Sequence, residues 1–225
     1  MIGKGETMRN KFDIELENLN LDLIRMGARA EQTITKVVKV IENCDAGGAR
    51  EIIEDDDLVD AMARQIESRS MKLIMKQQPV AKDLRIISAA LKMITDIERI
   101  CDQAADISEI TLSVCKEITI PRPQHISKMG RTTAQMVHMA VDSYVHRDMG
   151  LAEEVIGMDN EVDRLYDVVK TELLDMAIED REKIDQIVDF LMIAKYLERI
   201  GDHAENIAEW AVFSETGVHK DSRIL

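Results

Sequence analysis

The chain has 225 residues, of which 45% are hydrophobic, 3% are aromatic and three are proline. These proportions favour helices over sheets and supply enough apolar side chains for a core that folds unaided. A formal net charge of −14 repels nucleic acids. No stretch approaches the roughly 18 uninterrupted apolar residues that span a bilayer, and no signal-peptide core is present, so we expect a cytoplasmic protein without a transmembrane segment.

Apolar residues recur at intervals of three and four positions through six segments, the pattern of helices with one buried face. In the first half, the predicted helices cover residues 14–41, 49–76 and 80–115, with breaks at 45–48 and 77–79. In the second half, they cover residues 124–147, 151–178 and 182–213, with breaks at 148–150 and 179–180. Residues 117–123 contain two prolines and several β-branched residues, and we predict that they form the linker.

The two halves repeat each other. With a shift of 103 positions, Asp45 falls on Asp148 and Asp56 on Asp159. In the third helix the shift is 100, because three residues are lost near the loop at 77–79, where the loss does not rotate a buried face. The predicted fold is therefore all-α, with two tandem three-helix bundles related by a pseudo-two-fold internal repeat. The first repeat covers residues 1–116, the linker 117–123 and the second repeat 124–225.

Each repeat carries two pairs of carboxylates four residues apart. These are Asp56, Asp60, Glu98 and Asp102 in the first repeat, and Asp159, Asp163, Glu198 and Asp202 in the second. Residues four apart on a helix project in one direction, so two neighbouring helices would bring four carboxylates together. At about 5 Å and an effective dielectric near 20, each like-charged pair costs about 3 kcal/mol. The recurrence at matching positions favours two metal sites over the alternative of a solvated acidic face.

An all-oxygen ligand set suits magnesium, calcium, manganese or iron, and several carboxylates permit bridging of more than one ion. Asp106 and Asn206 are candidates for an additional oxygen ligand, whereas we interpret His203 as an ordinary polar surface residue. Cys101 stands where the second repeat has Gly201, and is either a soft extra ligand or a packed apolar side chain.

The cysteines are three in number and form no CxxC pair. We therefore expect neither a disulfide framework nor a thiolate zinc site, and cysteine usage of this kind fits a reducing cytosol.

Three motifs resemble the PhoU family: Gln77-Gln-Pro-Val-Ala-Lys-Asp-Leu-Arg85, Asp96-Ile-Glu-Arg-Ile-Cys-Asp-Gln-Ala104 and Tyr196-Leu-Glu-Arg-Ile-Gly-Asp-His-Ala204. The resemblance covers nearly the whole chain and implies an accessory regulator of phosphate uptake. Residues 8–12 resemble the usual N-terminus of family members, so residues 1–7 are expected to be disordered or accessory.

The resemblance also implies clusters of divalent or trivalent metal ions, iron in some members, held by the eight carboxylates. Manganese, magnesium and calcium are the alternatives. It further implies a cytosolic homodimer that contacts the phosphate ABC transporter ATPase and a sensor histidine kinase. Such a protein restrains the phosphate-starvation response when phosphate is plentiful.

Two other functions compete with this one. A ferritin-like di-iron carboxylate enzyme requires Glu-x-x-His, which the chain lacks. A metal-free helical adaptor would use the same carboxylates to receive Arg or Lys from a partner. Because no nucleophile and base pair, glycine-rich phosphate loop or HExxH is present, we predict a regulator and not an enzyme.

Two further features concern surfaces. We assign the methionine and leucine stripes to the core of the bundles, because such stripes at helical spacing are usually buried. Residues 82–85 begin the third helix and have no counterpart in the second repeat, so they are a candidate for partner contact, with charge pairing at a helix start as the alternative.

Overall fold

The structure is a computed structural model that describes residues 3–77, 79–117, 120–220 and 222–223. Its helices are α1 (Gly3–Asn43), α2 (Ala46–Gln77), α3 (Ala81–Val114), α4 (Ile126–His146), α5 (Met149–Glu179) and α6 (Ile184–Thr216). A 3₁₀ turn at Arg181–Lys183 precedes α6, and β1 (Val218–His219) pairs with β2 (Ser222–Arg223) in a short antiparallel hairpin. The predicted all-α fold is confirmed.

The structure describes only part of the N-terminal segment and part of the predicted linker. Helix α1 begins at Gly3, so of the two expectations for residues 1–7, disorder is wrong for residues 3–7, because the helix extends through them, whereas an accessory role stays a prediction. Residues 1–2 of that segment and residues 118–119 of the predicted linker lie outside the described residues.

The ends of the first helix in each repeat are built alike. Cys44 and Arg147 occupy equivalent positions and both have a φ of 54°, in the left-handed region. The residues that follow them, Asp45 and Asp148, cap the next helix of each repeat. Asp45 Oδ1 accepts hydrogen bonds from the N–H groups of Gly47 and Gly48, at 3.1 and 3.0 Å, and Asp148 Oδ1 accepts one from Leu151, at 3.0 Å. The predicted break at 45–48 is therefore too long, because Asp45 starts α2 directly and both glycines lie in its first turn.

The six helices form two bundles that share one core. Helices α1, α2 and α3 contact one another in the first repeat, and α4, α5 and α6 do so in the second. The repeats join where α3 packs on α6 and α1 packs on α4, and buried hydrophobic residues from all six helices form a single cluster. None of the described helices has the length and hydropathy needed to cross a bilayer.

The crossing of α1 and α4 shows the pseudo-two-fold relation directly. A Cβ on Gly27 of α1 would lie 2.9 Å from Val141 Cγ1 of α4, and a Cβ on Gly130 of α4 would lie 3.5 Å from Val38 Cγ2 of α1. The shift of 103 converts one pair into the other with the two helices exchanged. This exchange is what a two-fold axis produces, so the predicted relation between the repeats is confirmed.

The assignment of the apolar stripes to the core holds for most of their residues. Met26, Met93 and Met129 are buried, as expected. However, Met71 and Met75 near the end of α2 are exposed, and so are several apolar side chains of α5 and α6.

A disulfide joins Cys44 to Cys115, with Cα atoms 5.7 Å apart and a sequence separation of 71. The expectation of no disulfide is wrong, because only the packing of α1 beside α3 brings their C-terminal ends together. The argument from cysteine usage for a reducing compartment loses its basis with it. Cys101 remains a free, buried thiol.

The linker packs against the disulfide through Arg122. Its guanidinium group donates a hydrogen bond to the Glu42 carbonyl at 2.5 Å, and its Nη2 lies 3.8 Å from Cys44 Sγ.

Candidate metal centres

The first acidic centre consists of Asp56 and Asp60 on α2 with Glu98 and Asp102 on α3. Burial raises the pKa of Asp56 to about 6, and the charges of Asp102 and Asp60 add to the effect. Burial, followed by the charge of Asp60, also raises the pKa of Glu98. The structure therefore brings the four predicted carboxylates of the first repeat close enough to repel one another.

The second acidic centre consists of Asp159 and Asp163 on α5 with Glu198 and Asp202 on α6. Burial raises the pKa of Asp159 to about 7, helped by the nearby acidic charges that include Asp163, Asp202 and Glu198. The pKa of Asp202 is raised by burial and then by Glu198 and Asp163. The four predicted carboxylates of the second repeat are thus also brought together.

Each centre holds one buried carboxylate oxygen without a hydrogen-bond partner. These two atoms are Oδ1 of Asp56 and Oδ1 of Asp159, which occupy equivalent positions of the repeat. A buried polar atom without a partner costs free energy, of about 1–3 kcal/mol. Such a cost at the same place in both repeats fits a centre whose oxygens are completed by a cation.

The residue facing the orphaned oxygen differs between the two centres. A Cβ on Gly201 would lie 3.5 Å from Asp159 Oδ1 and 3.3 Å from Val162 Cγ1, so glycine keeps the second centre open. In the first centre this position is Cys101, which is 2% exposed. Burial, and then the charges of Asp56 and Asp102, raise the pKa of the Cys101 thiol to about 12. A neutral thiol is not the form that ligates metals, so the structure favours packing as the role of Cys101.

Basic side chains also reach the centres. Arg64 lies 3.3 Å from Asp60, and Arg99 lies 3.3 Å from Asp102. In the second centre, Lys195 donates to Glu198 Oε1 at 2.6 Å. In the present side-chain conformations, no group of three or more His, Cys, Asp or Glu side chains within the described residues could hold a metal ion. Metal binding at the eight carboxylates therefore stays a prediction.

The candidate extra ligands lie where α3 and α6 meet. Asn206 donates to Asp96 at 3.3 Å, and its Oδ1 accepts from Lys220, so its oxygen is not directed at the second centre. Asp106 accepts a hydrogen bond from Tyr196 and adds to the raised pKa of Asp56. The pairs Asp96–Asn206 and Tyr196–Asp106 are exchanged by the shift of 100, which again follows the pseudo-two-fold.

His203 is not an ordinary surface residue. Its Nδ1 lies 2.9 Å from Asp96 Oδ1, and both side chains are mostly buried. The sequence could not show this contact, because it depends on the packing of α6 against α3.

Glu205 is the acidic residue that the sequence reasoning missed. It is the largest charge contribution to the raised pKa of Asp159, after burial. Its repeat equivalent is Ala105, so a search for recurring carboxylates passes over it. The available signal was its spacing, since it follows Glu198 by seven residues and Asp202 by three, which places all three on one face of α6.

Residues 219 and 220 lie against the same helix. Lys220 lies 3.0 Å from Glu209 Oε2, and the His219 ring stacks on Trp210 with centroids 3.8 Å apart. At the start of α3, Asp83 is buried and its carboxylate accepts a hydrogen bond from the N–H of Val80, the N-cap residue, at 3.3 Å. This contact supports a structural role for Asp83 at the helix start.

Comparisons with known proteins agree with this architecture. Residues 23–111 and 126–211 match the PhoU domain. The chain belongs to the PhoU family. The two matched stretches contain all eight carboxylates of the acidic centres.

Individual PhoU proteins match over nearly their whole length. The chain is 38% identical over 214 residues to the phosphate-specific transport system accessory protein PhoU homolog of Clostridium acetobutylicum, which covers 95% of this chain and 98% of that protein. The crystal structure of PhoU from Pseudomonas aeruginosa has a TM-score of 0.89 at 33% identity, covering 92% of this chain and 100% of that one. The phosphate transport system regulatory protein PhoU from Streptococcus pneumoniae has a TM-score of 0.86 at 25% identity, covering 94% and 100%.

These relatives are described as accessory or regulatory proteins of phosphate transport and not as enzymes.

Proposed function

We propose that the chain is a cytoplasmic negative regulator of phosphate uptake and of the phosphate-starvation response. It acts by binding the ATPase of the phosphate ABC transporter and a sensor histidine kinase, and it works as a homodimer. The observation that supports this proposal is the match to the PhoU domain in both repeats, with relatives described as accessory proteins of the phosphate-specific transport system. The six-helix scaffold offers extended helical faces, which suits a protein that acts by binding others.

The regulatory role is tested by deleting the gene in its source organism. We expect the phosphate-starvation genes to be expressed in phosphate-rich medium, and a plasmid copy of the wild-type gene to silence them again. If these genes stay silent in the deletion strain when phosphate is plentiful, the proposed role is wrong. The matching binding measurement uses purified transporter ATPase and purified kinase, each immobilised separately, and records whether the chain binds to them.

The acidic centres are proposed to hold metal ions, with iron as the first choice and manganese, magnesium or calcium as alternatives. The orphaned oxygens of Asp56 and Asp159 support this assignment, because a cation bound in each centre would give each of these oxygens a partner. The donor set consists of carboxylates, the ligands that such hard or borderline cations prefer. A bound cation would offset the repulsion within each centre and tie α2 to α3, and α5 to α6.

Metal binding is tested by thermal unfolding of the chelator-treated protein with and without Fe²⁺ or Mn²⁺. A cation that binds only the folded chain raises its Tm. We expect this rise in the wild type and its loss in the double variant Asp102→Ala, Asp202→Ala. Asp167→Ala serves as the control, since the Asp167 side chain is 76% exposed and lies outside both centres. An equal rise in the wild type and in the double variant would contradict the assignment.

A second candidate function is a metal-free helical adaptor. The ion pairs Arg64–Asp60, Arg99–Asp102 and Lys195–Glu198 favour it, because they show that cationic side chains also neutralise these carboxylates. The two functions separate in the Tm experiment, where the adaptor predicts no response to either cation.

A further inference from the structure

Large apolar side chains are exposed on the second repeat near the turn between α5 and α6. On α5, Leu174 is 56% exposed and Ile178 is 81% exposed. On α6, the exposed apolar residues are Ile184, Val188 and Met192. Single exposed apolar residues are ordinary, whereas five gathered at one end of a helix pair indicate a surface that is covered by something. We call these five residues the apolar tip.

The two helices direct the apolar tip towards one groove. Lys195 Nζ of α6 lies 5.3 Å from the ring centre of Tyr166 on α5, so this face of α6 looks towards α5. Ile184, Val188 and Met192 precede Lys195 by 11, 7 and 3 residues, spacings that return a helix to nearly the same face.

The α5 side of the groove follows the same geometry. Leu174 lies 11 residues after Asp163, which belongs to the second acidic centre between the same two helices. The apolar tip and the second acidic centre are therefore successive parts of one groove, apolar near the turn and acidic farther along.

The charges around this groove select among possible occupants. Asp175, Glu179 and Asp185 are exposed beside the apolar tip. Among the nearby cations, Lys183 pairs with Asp180 at 3.2 Å and Lys170 with Asp167 at 3.9 Å, whereas Arg181 is exposed, so the rim keeps an excess of negative charge. This rim repels an anionic membrane, and it also repels the same rim of a second copy docked at this face. A basic partner with an apolar face complements the apolar tip and its acidic rim.

We propose that the α5–α6 groove of the second repeat docks an amphipathic, basic helix of a partner protein. The apolar face of that helix packs on the apolar tip, and its Lys or Arg side chains face the acidic rim. This inference deepens the proposed function and rests on it for its biological purpose, since it assigns the surface through which the regulator holds a partner.

The first repeat lacks a complete version of this groove. Met71 and Met75 stand at the positions of Leu174 and Ile178, under the shift of 103, and are also exposed. On the opposite helix, however, Ser88 and Lys92 stand at the positions of Val188 and Met192, under the shift of 100. One wall of the first groove is therefore polar and partly basic, which makes it a matched control within the same molecule.

The test measures the binding of a fluorescein-labelled peptide to the purified full chain by fluorescence anisotropy. The probe is a synthetic lysine–leucine peptide of about 18 residues, long enough for about five helical turns, arranged as an amphipathic helix. A peptide of the same composition, scrambled so that it has no apolar face, is the control. The double variants Leu174→Glu, Ile178→Glu and Met71→Glu, Met75→Glu are compared with the wild type.

Both double variants add the same two negative charges, but the glutamates at positions 174 and 178 lie beside the docked peptide and attract a basic peptide more strongly than those at positions 71 and 75. A loss of affinity confined to the Leu174, Ile178 variant therefore reports apolar docking. We expect the amphipathic peptide to bind the wild type more tightly than the scrambled one, with about a tenfold loss of affinity in the Leu174, Ile178 variant. The Met71, Met75 variant should bind as the wild type does. The milder Leu174→Ser, Ile178→Ser variant gives the same direction of change if the glutamates perturb folding.

Four results would overturn the proposal. These are equal binding of the scrambled peptide, equal loss in both double variants, binding of phosphatidylglycerol vesicles that depends on Leu174 and Ile178, and a dimer in sedimentation velocity that depends on them. The last two results would assign the surface to a membrane or to a second copy. Because the assay uses purified protein and a synthetic peptide, its outcome is independent of whether deletion of the gene alters the phosphate-starvation response.

Discussion

Removing the Cys44–Cys115 disulfide should destabilise the chain strongly. The bond closes a loop with a sequence separation of 71 and therefore restricts the unfolded chain. The loop-entropy relation gives about 4 kcal/mol at 25 °C for a loop of this length. For a chain of this size, such a loss corresponds to a fall in Tm of about 10 °C. Either dithiothreitol or the double variant Cys44→Ser, Cys115→Ser should produce it.

Urea unfolding, with and without dithiothreitol, checks this value. Dithiothreitol should lower the midpoint of the wild type but leave the Cys44→Ser, Cys115→Ser variant unchanged. Cys101→Ser is the control: its thiol is free, so this variant should keep its response to dithiothreitol. The reasoning fails if the denatured, non-reduced protein shows three free thiols by mass spectrometry, or if dithiothreitol destabilises the double variant as much as the wild type.

Two further predictions concern single side chains. Because the pKa of Asp159 is about 7 in the folded chain and 3.8 in the reference state, the folded chain binds this proton more tightly, and stability falls as the pH rises from about 4 to 7. Asp159→Asn should thus stabilise the chelator-treated protein above pH 7 and have little effect near pH 4, as measured by urea unfolding at both pH values; an equal effect at both would refute this. Gly27→Ala should cost about 1–3 kcal/mol, since its Cβ would lie 2.9 Å from Val141 Cγ1. Gly157→Ala, on α5, should instead stabilise the chain by about 0.5–1 kcal/mol, because beyond its chain neighbours and the local helix backbone no atom lies within 4 Å of its Cβ. The same sign for both glycines would contradict the packing.

The helices and the repeat were predictable because their signals are local. Apolar periodicity located all six helices, and the two shifts placed the loss of three residues near the loop at 77–79. The carboxylate pairs were predictable for the same reason, since spacing by four fixes a common face. Two side chains that cap helices, Asp45 and Asp148, also stand at equivalent positions of the repeat.

Contacts between distant segments were not predictable from spacing. Cys44 and Cys115 belong to different helices and meet only through the packing of α1 and α3. His203 pairs with Asp96 across the junction of the repeats, and its repeat equivalent, Gln103, gives no hint of this contact. Glu205 was passed over for the opposite reason, since the search for recurring carboxylates excludes a residue that only one repeat contains.

The most direct test of the proposed metal centres is the metal content of the protein purified without a metal-affinity step, measured by inductively coupled plasma mass spectrometry. The account predicts bound metal in the wild type, a loss of about half in Asp102→Ala and in Asp202→Ala, and nearly complete loss in the double variant. Asp167→Ala should retain the full content, because the Asp167 side chain is 76% exposed and lies outside both centres. Metal-free wild-type protein, or an unchanged metal content in the double variant, would contradict the account.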